Sequence, residues 1–168
     1  MASSIDPQTP DDDLEHARGG VQISLEVQPA EAEIRALVRN LVAYNDTQAE
    51  KENWRRFAIF VRDDRGNIVG GLNGYTHWGW LFIRHLWVAE SLRGQGYGRQ
   101  LVALAEREAV RRGCRSAHLD TFDFQAPGFY QKLGYRVFGA LEGYPAGHTR
   151  YFLQKSALML QDPESATK

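Results

Sequence analysis

Between Arg93 and Arg99 the chain reads RGQGYGR, with glycines at 94, 96 and 98 alternating with Gln95 and Tyr97. Glycine is costly inside a helix or strand, so three at one junction mark a backbone that needs unusual dihedral angles or a close approach. Ahead of them WLFIRHLWV has the aromatic and β-branched character of a strand, and behind them LVALAEREAVRR has the apolar spacing of a helix. Where a strand hands over to a helix, unpaired N–H groups and the positive end of the helix dipole point outward together. Without Cβ atoms in the way, an anion can reach those amides directly. Arg93 and Arg99 add full charge on either side. The chemistry this favours is the binding of phosphate groups.

Spacing narrows the ligand. A Walker loop needs Lys-Ser/Thr after its last glycine, and Arg99-Gln100 is not that pair. The dinucleotide fingerprint needs a third glycine three residues after Gly-x-Gly, where this chain has Arg99 in one register and Leu101 in the other. What fits is Arg93-x-x-Gly96-x-Gly98, which resembles the Gln/Arg-x-x-Gly-x-Gly/Ala motif of the GNAT superfamily of acetyl-CoA-dependent N-acetyltransferases. Downstream, FDFQAPGFYQKLGYRVFG resembles a second segment of that family, with Ala126, Phe129, Tyr130, Lys132, Leu133, Gly134 and Tyr135 in place. It departs from the pattern at Asp123, where many members carry Asn. The runs HLDTFDFQAPGFYQKLGY and YPAGHTRYFLQK are also similar to a bacterial branch that includes aminoglycoside acetyltransferases of the kasugamycin-inactivating type.

The resemblance implies acetyl-CoA as co-substrate, transfer of its acetyl group to a primary amine, and no metal. It implies that the pantetheine arm lies along Leu86, Trp87 and Val88. The pyrophosphate would rest on the segment Arg93, Gly94, Gln95, Gly96, Tyr97, Gly98 and Arg99, with Asp123 in the place of the family's Asn contact. Tyr130 is the matched proton donor, and a phenol with a pKa near about 10 suits a thiolate leaving group. The general base stays open among His85, Asp120 and Asp123. Trp78, Trp80, Asp123 and Glu142 are the expected acceptor contacts, because aromatic walls with carboxylates suit a cationic, ring-bearing amine such as an aminosugar. Two other functions remain open: a protein or peptide N-acetyltransferase, and a CoA-binding sensor without turnover.

These residues need a frame. At 168 residues the chain has room for one domain, read as residues 21–157 between polar tails at 1–20 and 158–168. A formal net charge of −1 gives no electrostatic footprint for nucleic acid, and Cys114, the one cysteine, excludes an internal disulfide. No apolar run reaches the length of a membrane span and no signal-peptide pattern opens the chain, so a cytoplasmic protein is expected. The expected partners are a small-molecule amine and, with the oligomeric state open, a second copy in a homodimer; neither nucleic acid nor membrane is expected.

Periodicity supplies the elements. Strands are expected at Val21–Val27, Phe57–Asp63, Ile68–Trp78, Trp80–Val88, Arg115–Phe122, Tyr135–Leu141 and His148–Lys155. Helices are expected after Pro29, from about Gly98 to Arg112, and over Ala126–Leu133. The order β-α-β-β-β-α-β-α-β-β combines hairpins with a β-α-β crossover, which gives an α/β fold with a mixed central sheet flanked by helices.

Overall fold

A computed structural model describes residues 20–159. The expected tails therefore lie almost wholly outside the described residues. Leu158, read from sequence as tail, is instead part of the core: its side chain is buried and its N–H donates to the Arg115 carbonyl. The chain divides into two compact units at Asn45/Asp46. The first contains most of helix α1 (Glu31–Gln48). Its start is fixed by Glu33, whose carboxylate accepts the Ala30 N–H at 3.0 Å and satisfies one of the orphan amides of the first turn.

The expected strand over Val21–Val27 does not form. Val21, Ile23, Leu25 and Val27 alternate as a strand should, yet all four are exposed and the segment joins no ladder. Alternation defines a face; a strand exists only where a neighbour pairs its N–H and C=O groups.

The second unit holds the sheet. Its elements are β1 (Arg55–Arg62), β2 (Ile68–His77), β3 (Trp80–Val88), α2 (Tyr97–Arg111), β4 (Ser116–Phe122), α3 (Pro127–Lys132), β5 (Arg136–Glu142) and β6 (Thr149–Ser156). The spatial order is β1-β2-β3-β4-β6-β5, antiparallel throughout except for the parallel pair β3–β4. The mixed α/β sheet expected from the sequence is thus observed. A parallel pair needs a crossover connection, which α2 provides. Leu101, Val102, Ala105 and Ala109 recur at helical spacing along α2 and form a buried cluster with Leu72, Leu81, Ile83, Ala117, Leu119 and Leu153 of the strands.

Polar ties hold α2 over the sheet at both sides. Glu106, mostly buried, accepts from Tyr135 Oη at 3.0 Å and from Lys155 Nζ at 2.7 Å. Near the other end, Arg112 Nε donates to Glu108 at 2.7 Å, and its Nη1 reaches the Arg55 carbonyl at 2.9 Å and Thr76 Oγ1 at 3.3 Å. The same guanidinium lies 5.1 Å from the Phe57 ring centroid. Arg111 and Arg112 hold the Glu108 carboxyl down to about 2, chiefly through their hydrogen bonds.

Glu108→Gln should therefore cost stability at pH 7 by about 1.5–3 kcal/mol, the scale of a charge-assisted hydrogen bond. Because the folded carboxyl is depressed, its contribution is complete above the ordinary value of 4.5 and disappears as pH falls through about 2. Urea unfolding of both proteins should show the difference closing over that interval; a gap that stays constant to pH 2 would refute the ion-pair account.

Candidate active site

The parallel ladder between β3 and β4 is short. It joins Trp80–Ile83 to Ser116–Leu119 and stops there, while β3 continues to Val88 with only β2 beside it. Along its other edge the backbone from Arg84 to Val88 has no ladder partner. The split coincides with an irregularity on the opposite edge, where Asn73 pairs with His85 and Gly74 with Ile83, leaving Arg84 as one extra residue in β3. Such a bulge bends the strand and shifts its alternation by one. Arg84 and His85 are consequently both exposed, whereas Leu81 and Ile83 before them and Val88 beyond are buried. At Gly74 a Cβ would collide with the Phe82 carbonyl, so the bulge depends on glycine there.

Into the split opens a cleft of about 790 Å³. One wall is Ile83–Val88, the second is the glycine junction and the start of α2, and the third runs from Asp120 and Thr121 through Phe124–Ala126 to Phe129 and Tyr130. At the junction Gly94 and Gly96 have φ of +75° and +88°, a conformation costly for any residue with a Cβ. Gly98 has a different reason: a Cβ there would sit 3.2 Å from Phe129 Cζ. Gly96 is the N-cap of α2 and offers no side-chain acceptor, so the first-turn N–H groups face the cleft uncapped. Arg93 Nε donates to the Val88 carbonyl at 3.2 Å, which ties the loop to the end of β3.

Three titratable side chains named from the sequence meet in this cleft. Tyr130 is 8 % exposed, with Phe129 and Tyr135 edge-on at 5.0 and 5.9 Å. Burial, and secondarily the Asp120 charge, push its phenol up to about 12. Asp120 is occupied by Arg150, whose Nη2 and Nε lie 2.6 and 2.8 Å from Oδ2. Arg150 in turn lies over the rings of Phe122, Tyr144 and Phe152 at 5.4–5.5 Å. His85 Nδ1 lies 3.1 Å from Asn73 Oδ1. In the tautomer that carries the proton on Nδ1, that amide oxygen accepts it and Nε2 is left with a lone pair.

Of the cofactor contacts expected from sequence, Leu86–Val88, Arg93, Gly94, Gly96, Tyr97, Gly98 and Arg99 line the cleft. Gln95 does not; its amide turns back to the Ser91 carbonyl at 2.8 Å. Asp123 does not either. Its carboxylate accepts the Phe124 and Thr149 N–H groups and lies 3.1 Å from His148 Nδ1, so it fastens the β4 end to β6.

The expected acceptor contacts are also displaced. Trp78 forms the β2–β3 turn, with its indole N–H on the Glu50 carbonyl at 2.8 Å. Trp80 stands edge-on to His118, four residues and about 13 Å of strand from Arg84. Glu142 ends β5, the edge strand on the far side of β6. Sequence reasoning grouped these residues because they flank the right elements, but the split opens at the opposite end of β3.

It missed a second cavity of about 490 Å³, lined by Trp54, Arg56, Phe57 and Ala58, by Asn73, Gly74 and Tyr75, and by Arg84. Arg84 lines both cavities. The glycines of GGLNG were the signal that β2 is irregular at this point. Among the described residues no cluster of His, Cys, Asp and Glu could hold a metal ion, and no helix is long and apolar enough to cross a membrane.

Residues 25–135 match the model of a family described as acetyltransferase (GNAT). A blasticidin-S acetyltransferase from Streptomyces morookaense is 43% identical over 100 residues, covering 59% of this chain and 74% of that protein. An acetyltransferase from Agrobacterium fabrum is 38% identical over 130 residues, 77% of this chain and 94% of that one. The crystal structure of an acetyltransferase from Bacillus cereus superposes with a TM-score of 0.72 at 35% identity, over 79% of this chain and 97% of its own.

The environment of Tyr130 can be tested directly. In an ultraviolet pH titration, Tyr130 and Tyr135, both raised by burial, should ionise above the ordinary tyrosine value of about 10. Tyr130→Phe should remove one late-ionising group near pH 12. Loss of an early group instead would show that the phenol is not buried.

Proposed function

Because the chain belongs to the GNAT acetyltransferase family, we propose that it transfers the acetyl group of acetyl-CoA to a primary amine of a small acceptor. The observation that carries this reading is the split between β3 and β4, with an uncapped helix N-terminus on one side and a buried phenol on the other. When bound, acetyl-CoA supplies a thioester: the amine nitrogen bonds to its carbonyl carbon, the C–S bond breaks, the nitrogen loses one proton and the sulfur gains one.

The residues present fit that group. The free edge of Leu86–Val88 offers N–H and C=O groups to an amide-bearing arm as an added strand would. The amides at the start of α2, with Arg93 and Arg99 beside them, suit a pyrophosphate. The first cavity has the volume expected of a cofactor site.

Tyr130 is the proton donor to the leaving sulfur. With its phenol at about 12 it is fully protonated at neutral pH. Against a thiol near about 8.5, complete transfer is uphill by roughly 5 kcal/mol. That is affordable within a barrier of about 16 kcal/mol, which corresponds to a turnover of about 10 per second. His85 is the base: Asn73 holds its Nδ1–H, so Nε2 takes the proton from the amine, directly or through water. Asp120 is not the base, because Arg150 occupies it; it polarises the Tyr130 surroundings and anchors the third wall of the cleft.

The likeness to a blasticidin-S acetyltransferase supports a small-molecule acceptor of the antibiotic class. The cationic aminosugar expected from sequence depended on Asp123 and Glu142 facing the reacting centre, and neither lines the cleft.

Tyr130→Phe keeps the ring packing and removes the proton. It should lower kcat by about 10²–10⁴-fold while calorimetry shows acetyl-CoA affinity within about threefold of the parent. A loss of turnover below threefold would mean that water protonates the sulfur and Tyr130 only packs.

A further inference from the structure

The second cavity adjoins the first through Arg84, and its lining has a clear electrostatic sign. Arg56 and Arg84 are among the residues that line it, and among the described residues no carboxylate does. Among the described residues neither guanidinium has an ion pair or a side-chain hydrogen bond. The first cavity has one carboxylate in its lining, Asp120, and Arg150 already neutralises it. A polycationic acceptor would therefore meet uncompensated positive charge on its way to His85.

Ladder positions give the dimensions. Arg56 pairs with Tyr75 across β1–β2, and Asn73 pairs with His85 across β2–β3. Arg56 and His85 thus stand two strand spacings apart and two residues out of step, about 12 Å between their backbones. Trp54 and Tyr75 line the same cavity, with ring centroids 5.8 Å apart and planes inclined at 40°. The bulge turns Arg84 outward beside His85, so a charge held there lies at the boundary of the two cavities. A planar spacer suits the rings, and guanidinium groups favour planar oxyanions through paired N–H bonds.

We propose that the acceptor is an amine carrying an oxyanion, carboxylate or phosphate, across a planar ring, and that Arg56 and Arg84 bind that oxyanion beside Trp54 and Tyr75 while the amine meets His85. This rests on the first cavity being the acetyl-transfer site. It reverses the sign of the acceptor expected from the sequence.

The test measures thiol release at saturating acetyl-CoA with four amines: 4-(aminomethyl)benzoate, its methyl ester, 4-(aminomethyl)phenylphosphonate, and the aminosugar kanamycin. At least one anionic amine should have a kcat/KM tenfold or more above the neutral ester, with kanamycin poorest. The ratio of carboxylate to phosphonate tells which oxyanion the pocket takes. Arg84→Met and Arg56→Met should each raise KM for the preferred anion by about 10–100-fold, bringing its ratio to the ester towards one. Arg56→Glu should turn the preference towards cationic amines, a reversal that mere loosening of the fold would not give; thermal unfolding confirms that each variant is folded.

Equal use of ester and anions, preference for kanamycin, or no turnover of either anion overturns the proposal. Calorimetry with acetyl-CoA separates this from failure of the underlying reading. Binding together with turnover of kanamycin alone leaves acetyl transfer intact and sinks the oxyanion pocket, whereas no acetyl-CoA binding sinks both.

Discussion

Parallel pairing between β3 and β4 ends at Ile83 and Leu119, and at the same level β3 takes on one more residue than β2 can pair. Both events spend backbone hydrogen bonds, and a strand edge left inside a protein must find other partners for its N–H and C=O groups. The cleft is what results. It has an unpaired edge along Arg84–Val88, two neighbouring exposed side chains where strict alternation would allow one, and a third wall that starts where β4 diverges. Gly74 permits this arrangement because any larger residue would press on the Phe82 carbonyl.

The glycine junction is built on that edge. Arg93 reaches back to the Val88 carbonyl, so the loop leaves β3 in a fixed direction and delivers the first turn of α2 to the cleft. Gly94 and Gly96 supply the left-handed turns, and Gly98 lets the Phe129 ring lie against the helix. The helix start and α3 are thus packed on each other, and Tyr130 follows Phe129 directly. A side chain added at Gly98 would therefore press on Phe129, the residue next to the phenol.

Charge is distributed unevenly around this frame. Carboxylates that hold the fold, Glu106, Glu108 and Asp123, are all engaged by cations or amides and do not line the cleft. Among the described residues Asp120 is the one carboxylate that lines the cleft, where it pairs with Arg150; burial first, and the Asp120 charge second, keep the Tyr130 phenol protonated. The charge that lines the second cavity is positive, from Arg56 on β1 and Arg84 on β3, beside Trp54 and Tyr75. A buried neutral acid on one side and unpaired guanidinium groups on the other are the two features on which the proposed oxyanion-bearing amine rests.

The sequence by itself determined the local elements and the junction. Helical spacing of Leu101, Val102, Ala105 and Ala109, the aromatic run of β3 and the glycines between them are short-range patterns that the backbone must obey wherever it folds. Tyr130 was legible for the same reason, through its fixed offset within one segment. What the tertiary structure decided was pairing and direction. Val21–Val27 has strand alternation and no ladder. Trp78 and Trp80 belong to β3 and its turn but stand at the wrong end of it, and Asp123 faces β6 instead of the cleft. Arg56, Trp54 and Tyr75 come beside His85 only through the register of two antiparallel ladders and one extra residue at Arg84. Periodicity is a property of neighbours along the chain, whereas register and strand order are set by contacts between segments far apart in it, so no local pattern could carry them.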